Sequence, residues 1–279
     1  MKKLLLCLLP LVLGGCQKAH ESLTTICADD PGLCADLNND GWCRYERARL
    51  IRQRYTLATA QSKHAYHLYR TLEATERYRD CIGVAARVVH EKQKTRQSDR
   101  GTAYLNSLVA VKALEAQIGA SKEPHLLYYR YSRQGDMQAL KEFLTYEGTG
   151  KLNTLELKAM LATYYAKRDK AKTYQLLVEA LSLPREEPND KHLDLFQTLP
   201  TLAFQQGHYQ EAYVWSRVAQ MQGVKDMDLQ SLKSILMKDK KLLRKLDNKA
   251  DAINEAIEDG HFKPAMATID QAQSSALPN

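Results

Sequence analysis

The chain has 279 residues, a formal net charge of +7 and a hydrophobic content of 44%. This length and composition suit one elongated helical body or two small domains. After the first fifteen residues, no apolar run approaches the length that crosses a bilayer. The local signatures of GxSxG hydrolases, phosphate-binding loops and HExxH zinc enzymes do not occur in the sequence. We therefore expect neither an enzyme nor a cofactor.

The first residues have the pattern of an export signal. Lys2 and Lys3 precede an apolar run from Leu4 to Leu13, and Leu13-Gly14-Gly15 precedes Cys16. The run is too short to span a bilayer, and the small residues are typical of a cleavage site. An ordinary secretory signal would leave Cys16 unexplained, so the pattern favours a lipobox.

This segment resembles the signals of bacterial lipoproteins, which implies acyl chains on Cys16. Several chains together hold a protein firmly on a membrane, whereas one chain binds only marginally. Gln17 and Lys18 follow the cysteine, and by the sorting rule of that family the absence of Asp favours the outer membrane. The resemblance implies a lipid-anchored protein that faces the periplasm, where nucleic acid is not an expected partner.

Basic residues are concentrated near the start of the mature chain. Residues 41–100 carry fourteen Lys and Arg side chains against six acidic ones, and five of the arginines fall between Arg44 and Arg54. Such a block suits an anionic membrane surface or an acidic partner. The alternative is a solvated helix face.

Four cysteines remain once the signal and Cys16 are set aside, and an even number in an oxidising compartment predicts two disulfides. Cys27 and Cys34 flank a turn sequence, which brings them together. Cys43 and Cys81 become level if the chain turns near Ser62, the midpoint between them. The spacing of the cysteines does not fit a metal site.

Helical periodicity follows these turns. Apolar spacing predicts helices over 41–60, 62–91 and 104–118, with a charged connector at 92–100. Asp36, Asn38 and Asp40 imitate the start of a calcium loop, but the twelfth position holds Arg47 instead of a glutamate. The competing interpretation is that Asn39 or Asp40 caps the helix beginning at Gly41.

Three helix-turn-helix segments then align, with turns at Gly135, Asp169 and Gly207, spaced by 34 and 38 residues. A fainter fourth copy has Gly260 at its turn. The Gly-x-aromatic-x-x-Ala pattern at Gly207 and Gly260 resembles the turn of tetratricopeptide repeats, whose period is 34 residues. The resemblance implies an α-solenoid, and the departure at Asp169 marks the repeats as degenerate.

The predicted fold is all-α, with an N-terminal disulfide-stapled helical hairpin followed by a tetratricopeptide-like α-solenoid. The predicted organisation is a signal peptide (1–15), a lipidated tether (16–26), a cysteine-bearing helical domain (27–122), the repeats (123–272) and a tail (273–279). The segment from Cys27 to Glu46 also resembles that of an uncharacterised bacterial lipoprotein family, which implies fold and location but no activity.

The function expected from these patterns is a protein-binding scaffold or adaptor of the cell envelope. Tyrosines are abundant in the repeat region, and most should pack between helices. Those chosen as candidate partner-binding residues are Tyr128, Tyr131, Tyr165 and Tyr209. The alternative is a cell-wall hydrolase or its regulator, because Glu73, Glu76 and Asp80 share helical spacing. Ion pairing with neighbouring arginines is the simpler interpretation of those acids.

Overall fold

The computed structural model describes residues 21–89, 94–186 and 192–269. This part of the chain forms twelve α-helices and no strand, which confirms the all-α prediction. The chain divides into two compact units after Ser121. The signal segment, Cys16 and the tail from 273 to 279 lie outside the described residues, so their assignments stay predictions.

The first unit contains four α-helices. The Ser22 hydroxyl caps the first of them by accepting a hydrogen bond from the Thr25 amide at 3.0 Å. A 3₁₀ turn at Pro31–Leu33 follows it. The helices are α1 (Leu23–Asp29), α2 (Arg44–Thr59), α3 (His64–Ala85) and α4 (Lys94–Ile118).

Helix α3 is the centre of this unit, since it packs against both α2 and α4. Leu50 and Ile51 of α2 and Tyr78 and Ile82 of α3 are fully buried in the shared core. The Tyr78 hydroxyl also accepts a hydrogen bond from the Asn38 amide at 2.7 Å. The polar segment before α2 is therefore fastened onto the core.

Both predicted disulfides are present. Cys27 pairs with Cys34 across seven residues, and Cys43 pairs with Cys81 across 38 residues. The second bond joins the start of α2 to the last turns of α3. The first helical hairpin is thus stapled as the cysteine spacing predicted.

Three local predictions in this unit differ from the structure. Helix α1 already begins at Leu23, inside the predicted tether. Helix α2 begins at Arg44, and Asp40 accepts from the Trp42 amide at 3.1 Å instead of capping a helix. Helix α4 includes most of the predicted connector because Arg100 points inward and pairs with Asp40 at 2.7 Å.

The described part of the second unit is a succession of four helix pairs. In the first three pairs the two helices pack against each other, whereas both helices of the last pair pack against the helix that precedes them. The first three turns lie at or beside the predicted positions; Gly135, with a φ of 71°, ends the first helix of the series. The hairpins are α5 (Pro124–Gln134) with α6 (Met137–Leu144), α7 (Leu155–Tyr165) with α8 (Lys170–Ala180), α9 (Leu193–Gln205) with α10 (Tyr209–Met221), and α11 (Leu229–Ile235) with α12 (Lys240–Glu258).

The predicted fourth helix-turn-helix copy, with its turn at Gly260, is not found there. The fourth hairpin turns at Met237 and Lys238, which both adopt positive φ. Gly260 instead follows the end of α12, and the chain then forms only a 3₁₀ turn at Pro264–Ala267.

The core of the second unit is centred on Trp215, which is fully buried. Its indole nitrogen donates to the Tyr174 hydroxyl at 2.8 Å, and its ring meets Phe262 edge to face with centroids 6.2 Å apart. Phe262 is buried too. The segment after Gly260 is therefore packed into the unit, although it is not a repeat.

Among the described residues, no helix combines the length and the apolar character that crossing a bilayer requires.

Candidate protein-binding groove

A groove of 540 Å³ opens between helices α7 and α8 and the loop that precedes α7. Leu161 and Leu176, both buried, contribute its apolar lining. The other lining residues are mostly charged or polar and come from all three segments: Glu147, Gly148, Lys158, Asp169, Ala171, Lys172, Gln175 and Glu179. Asp169 is also the N-cap of α8, because its carboxylate accepts from the Lys172 amide at 2.9 Å.

The charged groups of the groove are paired across it. The Lys172 ammonium lies 2.7 Å from a carboxylate oxygen of Glu147, and the Lys158 ammonium lies 3.4 Å from Glu179. Burial alone would raise the pKa of Glu147, but the hydrogen bonds from Lys172 and Tyr165 outweigh it and lower that pKa. The hydrogen bond to Glu147 likewise raises the pKa of Lys172. The groove therefore presents both signs of charge over an apolar floor.

The structure places the four candidate tyrosines differently. Tyr165 contacts the groove, since its hydroxyl donates to Glu147 at 2.9 Å and the Lys172 ammonium lies 3.8 Å from its ring centroid. Tyr128 packs against Tyr131, with ring centroids 5.9 Å apart. Burial raises the pKa of Tyr128, which also bonds Thr163 of α7.

Tyr209 lies at the start of α10, where its ring meets that of Phe204 with centroids 5.4 Å apart. None of the four tyrosines lines the groove directly. Sequence reasoning selected aromatic residues and missed Glu147 and Lys172, because their pairing depends on how the loop before α7 meets α8. Their only sequence signal is opposite charge.

A buried cluster of histidine and glutamate side chains lies elsewhere in this unit. His125 is only 3% exposed, and its two ring nitrogens lie 2.7 Å from Glu123 and 2.8 Å from Glu186. Burial alone would lower the pKa of His125, but the two glutamates raise it to about 9. Because both nitrogens are engaged away from solvent, this histidine has a structural role and is not placed to act as a general base.

Glu156 extends the cluster. Its carboxylate accepts from the Glu186 amide at 2.9 and 3.1 Å and lies 3.2 Å from a ring nitrogen of His192. Burial opposes its charge, but these partners lower its pKa. The cluster therefore ties the segment after α8 to the starts of α5, α7 and α9.

The Asp36–Asp40 segment, which resembles the start of a calcium loop, forms hydrogen bonds within the first unit. The Arg54 guanidinium donates to both carboxylate oxygens of Asp36 at 2.6 and 2.8 Å. Burial opposes the charge of Asp40, but bonds from Asn38, Trp42 and Arg100 lower its pKa. These oxygens are already occupied by donors, so the loop does not fit a calcium ion.

The remaining candidates for acid chemistry form ion pairs. Glu73 receives Arg77 at 2.7 Å, Arg70 at 3.1 Å and Arg49 at 3.6 Å. Further along α3, Glu76 and Asp80 both pair with Arg79, at 3.6 and 2.8 Å. This confirms the ion-pairing interpretation of these acids. Cys43 and Cys81 lie near Glu46, but their sulfurs are joined in the disulfide and are not free to bind a metal.

The chain matches no curated protein and no solved structure. A family model described as "Protein of unknown function (DUF2989)" matches residues 13–217, which is most of the chain. The match ends within α10, so the last hairpin and the packed segment after it lie beyond the matched residues. By this match the chain belongs to the DUF2989 family.

Proposed function

We propose that this protein is a lipid-anchored scaffold of the bacterial cell envelope that binds other proteins through the helical hairpins of its second unit. The observation that carries the proposal is the groove between α7 and α8, whose lining combines two leucines with a charge pair that is about one-third exposed. Acyl chains on Cys16 would hold the protein on the periplasmic leaflet of the outer membrane. Two disulfides support an oxidising compartment.

The hairpins support a degenerate tetratricopeptide-like solenoid. Three of them turn near the predicted 34- and 38-residue spacing, and each packs on the next. Stacked helical hairpins form extended surfaces that grip a segment of a partner. The groove is formed by the two helices of one hairpin and the loop that joins it to the hairpin before, so it offers such a surface on a small scale.

The chemistry of the groove indicates the kind of segment that fits it. Glu147 and Lys172 are each about one-third exposed, so their pair is accessible to a partner at low cost. A partner carboxylate can replace Glu147 on Lys172 while a partner ammonium takes Glu147. Leu161 and Leu176 then accept an apolar side chain. We therefore propose an extended or helical segment with mixed charge and one apolar anchor.

Anchoring strengthens this binding. A tethered protein meets partners of the same envelope layer at a raised effective concentration. Moderate affinity in a groove of this size is then sufficient for capture. The proposed role is adaptor binding without covalent chemistry.

The test is photo-crosslinking in intact cells. A photoreactive amino acid replaces Ala171, which is exposed and lines the groove, and in a matched variant it replaces Asn248, which is exposed on α12. We expect a defined set of crosslinked proteins from position 171 that Lys172→Glu abolishes, and far fewer from position 248. Equal labelling at both positions would contradict the groove proposal.

Two further measurements separate the parts of the proposal. Mass spectrometry of the mature N-terminus should find acyl chains on Cys16, and Cys16→Ser should let high salt extract the protein from membranes that otherwise release it only with detergent. Incubation of the purified chain with peptidoglycan should release no soluble fragments. Release of fragments would instead support the hydrolase that the sequence left as the alternative.

A further inference from the structure

One end of the first unit brings together the start of α2 and the end of α3. The disulfide joins Cys43 to Cys81 with their Cα atoms 5.9 Å apart. The Arg100 guanidinium lies 5.0 Å from the Trp42 ring centroid and also donates to the Ala85 carbonyl at 3.4 Å. Residues 42–45 and 81–89 therefore lie at the same end of the α2–α3 hairpin.

This surface exposes large apolar side chains. Trp42 is 44% exposed, Tyr45 83%, Val84 62% and Val89 72%. Exposed aliphatic and aromatic side chains grouped in this way mark an interaction surface. We define the aromatic–basic end as these four residues together with the exposed arginines Arg44 and Arg87.

Two arginines of the basic block remain available at this end. Arg44 and Arg87 are exposed, and neither makes an ion pair with the described part of the chain. Most other arginines of the block form ion pairs, and three of them share the carboxylate of Glu73. Of the neighbouring acids, Asp80 pairs with Arg79 at 2.8 Å and Glu46 is half-buried in α2.

The opposite end of the α2–α3 hairpin is different. Residues 61–64 are all exposed, and they are a glutamine, a serine, a lysine and a histidine. Positive charge is thus present at both ends, but the large exposed apolar side chains of the hairpin are at the end that carries Tyr45. This contrast provides a matched control within one unit.

We propose that the aromatic–basic end docks on the headgroup region of an anionic lipid bilayer. Tryptophan and tyrosine favour the membrane interface because one part of each ring system is apolar and the other is polar. Arginine guanidinium groups bind lipid phosphates and are attracted to an anionic surface. Val84 and Val89 add apolar area to the same contact.

The position of the chain's N-terminal part supports a bilayer as the occupant. Arg52 donates to the Glu21 carbonyl at 3.2 Å, which places residue 21 beside α2, seven residues from Tyr45. Seven helical residues span roughly 10 Å. Cys16 precedes Glu21 by five residue steps, which reach at most about 18 Å. The docking geometry thus rests on the proposed anchor, which would hold this end within reach of the same membrane.

The test uses the unlipidated mature chain carrying Cys16→Ser, so that it does not depend on acylation. Co-sedimentation with phosphatidylglycerol vesicles should retain the chain, and vesicles of phosphatidylcholine should retain much less. In a Trp215→Phe background Trp42 is the only tryptophan. Its emission should shift to the blue on binding and be quenched by brominated lipid.

Variants locate the contact. Each arginine near an anionic surface contributes roughly a fivefold change in partitioning, so Arg44→Gln with Arg87→Gln should weaken vesicle binding about 25-fold. Tyr45→Ser should weaken it further, and Lys63→Gln at the opposite end should leave it nearly unchanged. High salt should reduce binding of the unaltered chain.

Several outcomes would overturn the proposal. They are an unaltered chain that stays in solution with phosphatidylglycerol vesicles, a Lys63→Gln loss equal to that of the arginine pair, or in-cell crosslinks from position 45 to a protein instead of lipid. Failure to find acyl chains on Cys16 would remove the anchor but leave the vesicle result standing, so the two failures are distinguishable.

Discussion

Protonated His125 should stabilise the second unit in a way that depends on pH. Its pKa is raised to about 9 by Glu123 and Glu186, whereas an unfolded histidine has a pKa near 6.5. The difference corresponds to about 3 kcal/mol of folding free energy. Because the folded pKa is the higher one, this contribution is fully present below pH 6.5 and is lost as pH rises through 9.

The measurement is urea unfolding at pH 6 and above pH 9, followed by the emission of Trp215 in a Trp42→Phe background. His125→Gln keeps a hydrogen-bonding side chain but cannot carry charge. The unaltered protein should exceed the variant in stability by about 3 kcal/mol at pH 6, and the gap should close above pH 9. A gap that stays constant or widens with pH would refute the reasoning, since other titrating groups are common to both proteins.

Three more substitutions test the packing. Replacing Cys43 and Cys81 by Ser opens a 38-residue loop and should lower the free energy of unfolding in urea by about 4 kcal/mol. Replacing Cys27 and Cys34 by Ser opens a seven-residue loop and should lower it by only about 2 kcal/mol. The reverse order would contradict the loop-entropy argument. Phe262→Ala should cost about 3 kcal/mol and alter the emission of Trp215, and an unchanged spectrum would show that the segment after Gly260 is not packed there. Gly83→Ala brings a methyl carbon to 2.9 Å from the Tyr104 ring of α4, so thermal unfolding should show the first unit destabilised by about 1 to 3 kcal/mol. An equally stable variant would show that the ring moves freely.

The sequence predicted those features that depend on nearby residues. The helical periods gave both ends of α2 and the start of α3 within three residues, although α3 ends at Ala85, before the predicted end at 91. The cysteine spacing gave both disulfides. The three hairpin turns that were predicted carry Gly or Asp, which end or begin helices for local reasons. These predictions needed no knowledge of the tertiary structure.

Most features that sequence reasoning missed depend on distant contacts. Arg100 reaches Asp40 across sixty residues, which turns a charged connector into helix. One miss was local: the fourth hairpin turns at Met237 and Lys238, just before the N-cap residue Asp239, whereas Gly260 gives a turn signal with only a 3₁₀ turn after it. The groove instead depends on the Glu147–Lys172 pair, which no local pattern reveals.

The order of the cysteines along the chain has a consequence for biogenesis. Synthesis proceeds from the N-terminus, so Cys27, Cys34 and Cys43 emerge well before Cys81. Thiols close in sequence collide most often, and a bond between Cys34 and Cys43 would be a dead end for the hairpin. Early closure of the Cys27–Cys34 loop removes that competitor and reserves the thiol of Cys43 for its late partner.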